Sequence, residues 1–272
     1  MARGRGSRRA FLIGGTLAGM AYLYYQVKSV AVTKYDVPVR NLPSPFDGFT
    51  ILHLTDLHNK EYGSGQERLL DLINHYEFDM VAITGDLVDK DKQQIDPAIN
   101  LLRGLPQKPV FFVPGNHEWW TNYEIKEPLL AEGVQILENA NYKYIMSGKH
   151  IWIAGVDDPF LKKDNLDQAL EGTEDDTPRL LLAHAPDIYP SAMRAGVDLV
   201  MAGHTHGGQV RLPILGAIFV PGKGLFPQFD YGLYSSGLST LVISGGLGES
   251  TLPVRINNRP EIVLITLYNQ NM

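Results

Sequence analysis

The sequence predicts an α/β protein built from two packed β-sheets flanked by helices. Three observations lead there. Apolar runs of strand length alternate with helical stretches through the first half, as βαβ units require. The second half is richer in strands, two of them hairpin-like. The chemistry-bearing polar residues emerge where apolar runs end, and open α/β sheets place their sites at the carboxyl ends of strands. With 272 residues and 44% hydrophobic content, the chain is long enough for one large core.

Taken in order, residues 1–31 read as a targeting segment. Arg3, Arg5, Arg8 and Arg9 precede an apolar stretch from Ala10 to about Tyr25, and no acid occurs before Asp36. Ser7-Arg8-Arg9-Ala10-Phe11-Leu12 resembles a bacterial twin-arginine export signal, which implies a twin-arginine translocase as partner. The apolar run is slightly shorter than the ~17 to 25 residues of a spanning helix, so it fits a signal or a short anchor. No cleavage site stands out, which favours an uncleaved anchor through residues 10–27 with Tyr22, Tyr24 and Tyr25 at an interface. The positive-inside rule then keeps the arginines cytoplasmic and puts the rest of the chain outside the plasma membrane, in the periplasm or cell wall.

Residues 32–48, punctuated by Pro38, Pro43 and Pro45, read as an extended linker. A single domain over 49–272 follows. Strands are expected at Phe49–Thr55, Met80–Thr84 and Val110–Val113, with helices at Gln66–Tyr76 and Pro97–Arg103 between them. Tyr142–Met146 and Ile151–Val156 read as paired strands, and Arg179–Ala183, Leu199–Ala202, Leu241–Ser244 and Ile262–Leu267 as further ones. Glu171–Asp176 reads as a solvated acidic loop, and Pro213–Leu238 as a long Gly-, Pro- and aromatic-rich excursion without periodicity.

Composition narrows the chemistry. Cysteine is absent, so disulfides and thiolate metal sites are excluded. Five of the 24 basic residues lie in residues 1–31, leaving 19 basic against 30 acidic residues afterwards. A domain that acidic argues against long nucleic acids held by phosphate neutralisation.

Five blocks stand at strand exits: Asp56-Leu57-His58, Gly85-Asp86, Gly115-Asn116-His117-Glu118, His184 and Gly203-His204-Thr205-His206. They hold five of the eight histidines, His58, His117, His184, His204 and His206, with two aspartates, Glu118 and an amide. Imidazole, carboxylate and amide ligands suit divalent Mn, Fe or Zn. Asp56 and His58, two apart, point to one side of an extended segment and can grip a first metal, to which His206 returns. Asp86 offers two oxygens and can bridge two cations at the ~3.5 to 4 Å that two-metal hydrolysis needs. Asn116, His184 and His204 complete the second. Water held between such cations is a strong nucleophile at neutral pH, because its pKa falls from ~15.7 towards ~7. His117, surplus to coordination, is free to act as general acid to the leaving oxygen, and Glu118 is placed to hold its ring.

Other conspicuous residues have blander readings. His53 reads as a strand side chain, His75 and His150 as solvated, and Asp157-Asp158 as a turn ahead of Pro159. Trp119 and Trp120 cannot share a helical face, so one is expected in the core and the other beside the substrate.

The ordered blocks over about Thr50–Leu267 resemble the calcineurin-like metallophosphoesterase superfamily. Gly85–Asp89, Gly203–Gln209, Gly245–Gly248 and Pro253–Pro260 resemble a bacterial membrane-associated branch with twin-arginine leaders. The resemblance implies a four-layer αββα sandwich of two mixed β-sheets and a dinuclear Mn, Fe, Zn or similar centre. Glu118 departs from the Asp that many members carry. The expected function is a phosphodiesterase or pyrophosphohydrolase of the bacterial cell envelope. Apolar residues of the excursion (Ile214, Leu215, Ile218, Phe219, Val220, Leu225, Phe226) favour a lipid-linked or cell-wall phosphoester, with a UDP-2,3-diacylglucosamine-type pyrophosphohydrolase as the alternative. A non-catalytic scaffold would be expected to lack ligands, and all seven positions are filled.

Overall fold

The computed structural model describes residues 3–91, 94–208, 210–212, 216–220, 223–249 and 255–270, with side chains of the first helix from residue 14 onward. Gln209, Ile214, Leu215 and Pro253, singled out above, lie outside the described residues.

Sixteen strands are described: β1 Ala31–Val39, β2 Thr50–Leu54, β3 Met80–Ile83, β4 Val110–Phe112, β5 Gln135–Ile136, β6 Ala140–Met146, β7 Lys149–Gly155, β8 Arg179–Leu182, β9 Leu199–Ala202, β10 Arg211–Leu212, β11 Gly216–Ala217, β12 Phe219–Val220, β13 Gly224–Leu225, β14 Gly232–Ser236, β15 Ser239–Ile243 and β16 Glu261–Asn269. The helices are α1 Arg3–Lys28, α2 Glu67–Ile73, α3 Asp96–Gly104, α4 Asn116–Trp120, α5 Lys126–Ala131, α6 Leu166–Ala169 and α7 Tyr189–Arg194. One six-stranded sheet runs β1-β16-β2-β3-β4-β5 and the other β14-β15-β9-β8-β7-β6. Both are mixed: β16 is antiparallel to β2 in the first, and β6 and β14 are antiparallel edges of the second. The expected pairing of Tyr142–Met146 with Ile151–Val156 is the β6–β7 hairpin.

Strand residues serve two cores in strict alternation, which explains why these strands read as unbroken apolar runs. Ile51, Met80, Ala82 and Phe111 face Leu180, Leu182, Leu199, Met201 and Val242 between the sheets. Their neighbours Leu52, Val81, Ile83 and Phe112 turn outward onto Leu69, Ile73, Leu101 and Leu129 of α2, α3 and α5. On the far side Leu181, Val200, Leu241 and Ile243 pack under Tyr189 and Ala192 of α7. The result is the αββα sandwich. Its two sheets bring the carboxyl ends of β2, β3 and β4 against those of β8, β9 and β15.

Two sequence expectations need correction. Residues 32–48 are not a linker: β1 runs parallel to β16 from Ala31↔Glu261 to Val39↔Asn269, and Val37, Val39, Leu42 and Phe46 are buried between the sheets. Pro38 misled the reading, but β1 is an edge strand, where a missing N–H is tolerated. The excursion 213–238 is not structureless either, since it holds β11, which pairs with β10 just before it, the β12–β13 hairpin and all of β14. Strands of two residues are too short to show periodicity.

At the N-terminus, α1 occupies the expected apolar stretch. Gly14, Gly15, Thr16, Gly19 and Gln26 dilute it, and no helix among the described residues is long and apolar enough to cross a membrane. Its C-terminal end is tied to the sandwich by hydrogen bonds from Tyr22 to Asn257 (2.7 Å) and from the Lys60 ammonium to the Val27 carbonyl (3.0 Å).

Candidate metal centre

The loop after β2 carries Asp56 and His58 alongside the loop after β3, with Asp56 N–H on the Gly85 carbonyl at 3.0 Å and His58 N–H on the Asp86 carbonyl at 3.0 Å. Asp56, His58, Asp86, His204 and His206 all adopt positive φ, between 46° and 67°. Left-handed backbone costs a residue with a Cβ about 1 kcal/mol or more, and five such positions converging on one point mark it as a place where geometry outweighs local comfort. The glycines beside them are there for room. A Cβ on Gly115 would collide with the Asp86 carboxylate, and one on Gly203 with Thr55 and the Asp56 carboxylate.

The seven expected ligands come together as two sets. In one, His58 Nε2 and His206 Nε2 are 3.1 Å apart, with Asp56 Oδ1 at 3.4 Å from His206 and 3.8 Å from His58. In the other, His184 Nε2 lies 3.0 Å from His204 Nδ1 and 3.2 Å from Asn116 Oδ1. Asp86 Oδ2 belongs to both, 3.2 Å from His184 Nε2 and 3.6 Å from His58 Nε2. Ligands about 2.1 Å from one cation lie about 3.0 Å apart in cis-octahedral geometry and about 3.4 Å apart in tetrahedral geometry. These spacings therefore fit metal coordination.

Several of the remaining atoms are already committed elsewhere, while His58 Nδ1, His204 Nε2 and His206 Nδ1 are buried without a hydrogen-bond partner. Asp56 Oδ2 accepts from Thr55 Oγ1 (2.8 Å) and His204 N–H (3.0 Å), leaving the fully buried Oδ1 without a hydrogen-bond partner. An orphaned buried carboxylate oxygen between two imidazoles is a cation's partner. His184 Nδ1 sits 2.8 Å from the Thr84 carbonyl, which makes it the protonated nitrogen and leaves Nε2 its lone pair. Asp86 Oδ1 accepts the His117 N–H at 2.9 Å, so Oδ2 is the oxygen left for both sets.

The charges agree. Burial pushes the His58 imidazole down, but Asp56, Asp89 and Asp86 outweigh it and carry it to about 10. His184 is likewise raised, Asp86 overcoming burial. Burial holds His204 and His206 at about 3, as neutral donors of lone pairs. Each set thus draws positive charge onto one of its imidazoles, a place that a divalent cation would take.

Around the ligands the structure refines the sequence reading. Glu118 does not hold His117. As the third residue of α4 it reaches back, taking the N–H groups of Gly115, Asp86 and Leu87 at 2.8 Å each and that of Val88 at 3.3 Å. Burial and Asp86 push its carboxyl up to about 7 against the pull of those donors. His117 is held by the backbone: Lys90 N–H donates to Nδ1 at 3.1 Å, so the ring carries its proton on Nε2. Burial lowers its pKa.

Trp119 is half-buried, its indole N–H on Asp157 at 2.7 Å, while exposed Trp120 lies 4.9 Å from the His117 ring and Phe160 4.7 Å from the His204 ring. Asp158 caps the turn at Phe160 and Leu161, as expected of it. His53 is a core residue bonded to Thr84 and held at about 4 by burial; His75 is exposed; His150 is not free in solvent but pairs with Asp175 at 2.8 Å.

Two residues had been passed over. Asp89 places Oδ2 3.6 Å from His58 Nδ1 and groups with His58 and His117, a role its spacing three residues after Asp86 could have suggested. Arg255, fully buried, donates to the carbonyls of Gly245, Gly246 and Gly248, fixing the turn that lies against Asp56 and Leu57.

A family model described as calcineurin-like phosphoesterase matches residues 49–208. Bacillus subtilis YkuE, an uncharacterised metallophosphoesterase, is 29% identical over 284 residues, covering 97% of this chain and 99% of its own. A Bos taurus transmembrane protein with metallophosphoesterase domain is 31% identical over 276 residues, covering 93% of this chain and 60% of its own. An uncharacterised metallophosphoesterase of Helicobacter pylori is 32% identical over 236 residues, covering 81% of this chain and 60% of its own.

Proposed function

Because the chain belongs to the calcineurin-like phosphoesterase family and is by that membership a metal-dependent phosphoester hydrolase, we propose that it acts as a phosphodiesterase or pyrophosphohydrolase with two divalent cations. The observation that carries this reading is Asp86 Oδ2, one carboxylate oxygen shared between two ligand sets that otherwise have separate members. Mn, Fe and Zn all suit the donors. Two cations held there would neutralise phosphoryl oxygens and supply a nucleophile from water at neutral pH.

The chain's own residues do the rest. Asp56, His58 and His206 hold one side, Asn116, His184 and His204 the other, and Asp86 fixes the spacing. His117, its proton on Nε2, donates to the departing oxygen as general acid or hydrogen-bond donor. Lys90 N–H and the Asp86 carboxylate fix that ring through Nδ1 and the His117 backbone. The test is hydrolysis of bis-p-nitrophenyl phosphate with added Mn, with Asp86→Asn as control. Absence of metal-dependent turnover in the parent would return the chain to the scaffold reading.

For location and substrate, the reading is the bacterial cell envelope, with export by the twin-arginine translocase and membrane attachment through residues 10–27. The arginine-rich start supports it, as does the Bos taurus relative's designation as a transmembrane protein. Exposed Phe219, Leu225 and Phe226 favour a lipid-linked or cell-wall phosphoester, and with it the UDP-2,3-diacylglucosamine-type alternative. Profiling lipids and cell-wall metabolites in cells whose own copy carries Asp86→Asn tests this: accumulation of a soluble nucleotide alone would exclude a lipid substrate.

A further inference from the structure

The β12–β13 hairpin turns its apolar residues towards water. Phe219 stands opposite Leu225 across the antiparallel pair, so their side chains share one face. That face is open: Phe219 is 52% exposed, Leu225 68%, and Phe226 just beyond 63%. Val220, pointing the other way, is 0% exposed. Phe226 N–H closes the hairpin on the Ile218 carbonyl at 3.0 Å, and Lys223 links it to Asp187 at 2.5 Å. Phe226 itself sits at φ 49°, a conformation bulky residues rarely adopt, so its outward aim is imposed by the backbone. Next to the hairpin lies the site: Gly208, at the end of the His206–Gly208 turn, abuts Ala217 and the Phe219 carbonyl.

A chain of contacts leads from here to α1. Leu212, also exposed, neighbours Arg211, whose carbonyl accepts from Asn257 at 3.1 Å, and Asn257 in turn accepts from Tyr22 of α1. On α1 every residue from Gly14 to Tyr25 is exposed and none is charged, with Leu17, Met20, Tyr24 and Tyr25 each more than half exposed. Aromatic and aliphatic groups next to an exposed, uncharged helical segment match the interfacial layer of a bilayer.

We propose that the β12–β13 hairpin is a bilayer-docking element: Phe219, Leu225 and Phe226 enter the interfacial layer of a membrane and set the His204–His206 side of the metal centre at its surface. This rests on the membrane reading of residues 10–27 for the direction of approach and needs no turnover. The experiment uses the full chain in EDTA with vesicles of phosphatidylcholine and phosphatidylglycerol, part of the lipid brominated on its acyl chains, and Phe226→Trp as probe. Docking gives an emission drop of about twofold beyond that of the parent protein, and adding Phe219→Ser and Leu225→Ser abolishes the excess. Vesicles that carry the protein without quenching the Phe226→Trp probe overturn the hairpin's role and leave the α1 reading standing. A protein that ignores the vesicles overturns both, and so does a patch that proves to join two copies in light scattering with no lipid bound. None of these outcomes touches hydrolysis of bis-p-nitrophenyl phosphate, which is read separately with Mn.

Discussion

Glu118 takes the backbone N–H of Asp86 at 2.8 Å, so the carboxylate shared by the two candidate sets is aimed by a buried carboxylate that has no place in either of them. The same side chain holds Gly115, Leu87 and Val88, clamping the exits of β3 and β4 to each other. Glu118→Gln turns one acceptor into a donor facing N–H groups. The expected cost is about 2 to 4 kcal/mol in urea unfolding, together with weaker metal binding by calorimetry; a variant as stable as the parent would remove Glu118 from this role.

Asp86→Asn keeps one oxygen but loses the charge that two cations would share. Metal analysis after dialysis should fall from about two ions per chain to one or fewer, with kcat down by about a thousandfold or more. EDTA should abolish the parent's turnover and Mn restore it. Two tightly held ions in Asp86→Asn would show that the bridge lies elsewhere.

Much of this was legible in the sequence because the strands are buried on both faces and the ligands follow their ends directly. Asp56, Asp86, Asn116, His184 and His204 could be placed from the apolar runs before them. What stayed hidden depended on distant partners. β1 is recognisable only once Ala31–Val39 meets Glu261–Asn269 at the other end of the chain. Arg255 reads as a surface cation until its guanidinium is seen beneath the Gly245–Gly248 turn. Glu118 was assigned to its sequence neighbour His117, whereas helix geometry sends a third-position side chain back towards the N-terminus. The left-handed ligands also escape reading, since a positive φ at Asp or His carries no sequence mark.

His117 offers a test that depends on the leaving group. With Lys90 N–H on Nδ1, the ring serves the departing oxygen from Nε2. An alkoxide needs that proton, while p-nitrophenolate leaves readily without it. His117→Ala should therefore cost about 10²- to 10⁴-fold in kcat on an alkyl phosphodiester and at least about tenfold less on bis-p-nitrophenyl phosphate. Equal losses on both would point to a role in positioning rather than in protonation or hydrogen bonding.

The excursion should open in acid before the sheets do. Asp230 gathers it, accepting from Arg211 at 2.8 Å, Ala217 N–H at 2.9 Å and Tyr234 at 2.7 Å, while its carbonyl takes Thr205 of the ligand turn at 2.6 Å. Burial would raise this carboxyl, but the Tyr234 and Ala217 hydrogen bonds and the Arg211 charge outweigh it and hold it below its ordinary value. A depressed carboxyl contributes stability that is present above the unfolded value of about 3.9 and is lost as pH falls through the folded value. Amide exchange at residues 210–212 and 216–218, corrected for its intrinsic pH dependence, should be steady from neutrality to about pH 5 and accelerate below about pH 4. In Asp230→Asn the acid step should vanish and the segment exchange faster at every pH; an acid step of the same size in that variant would assign the switch to another carboxylate.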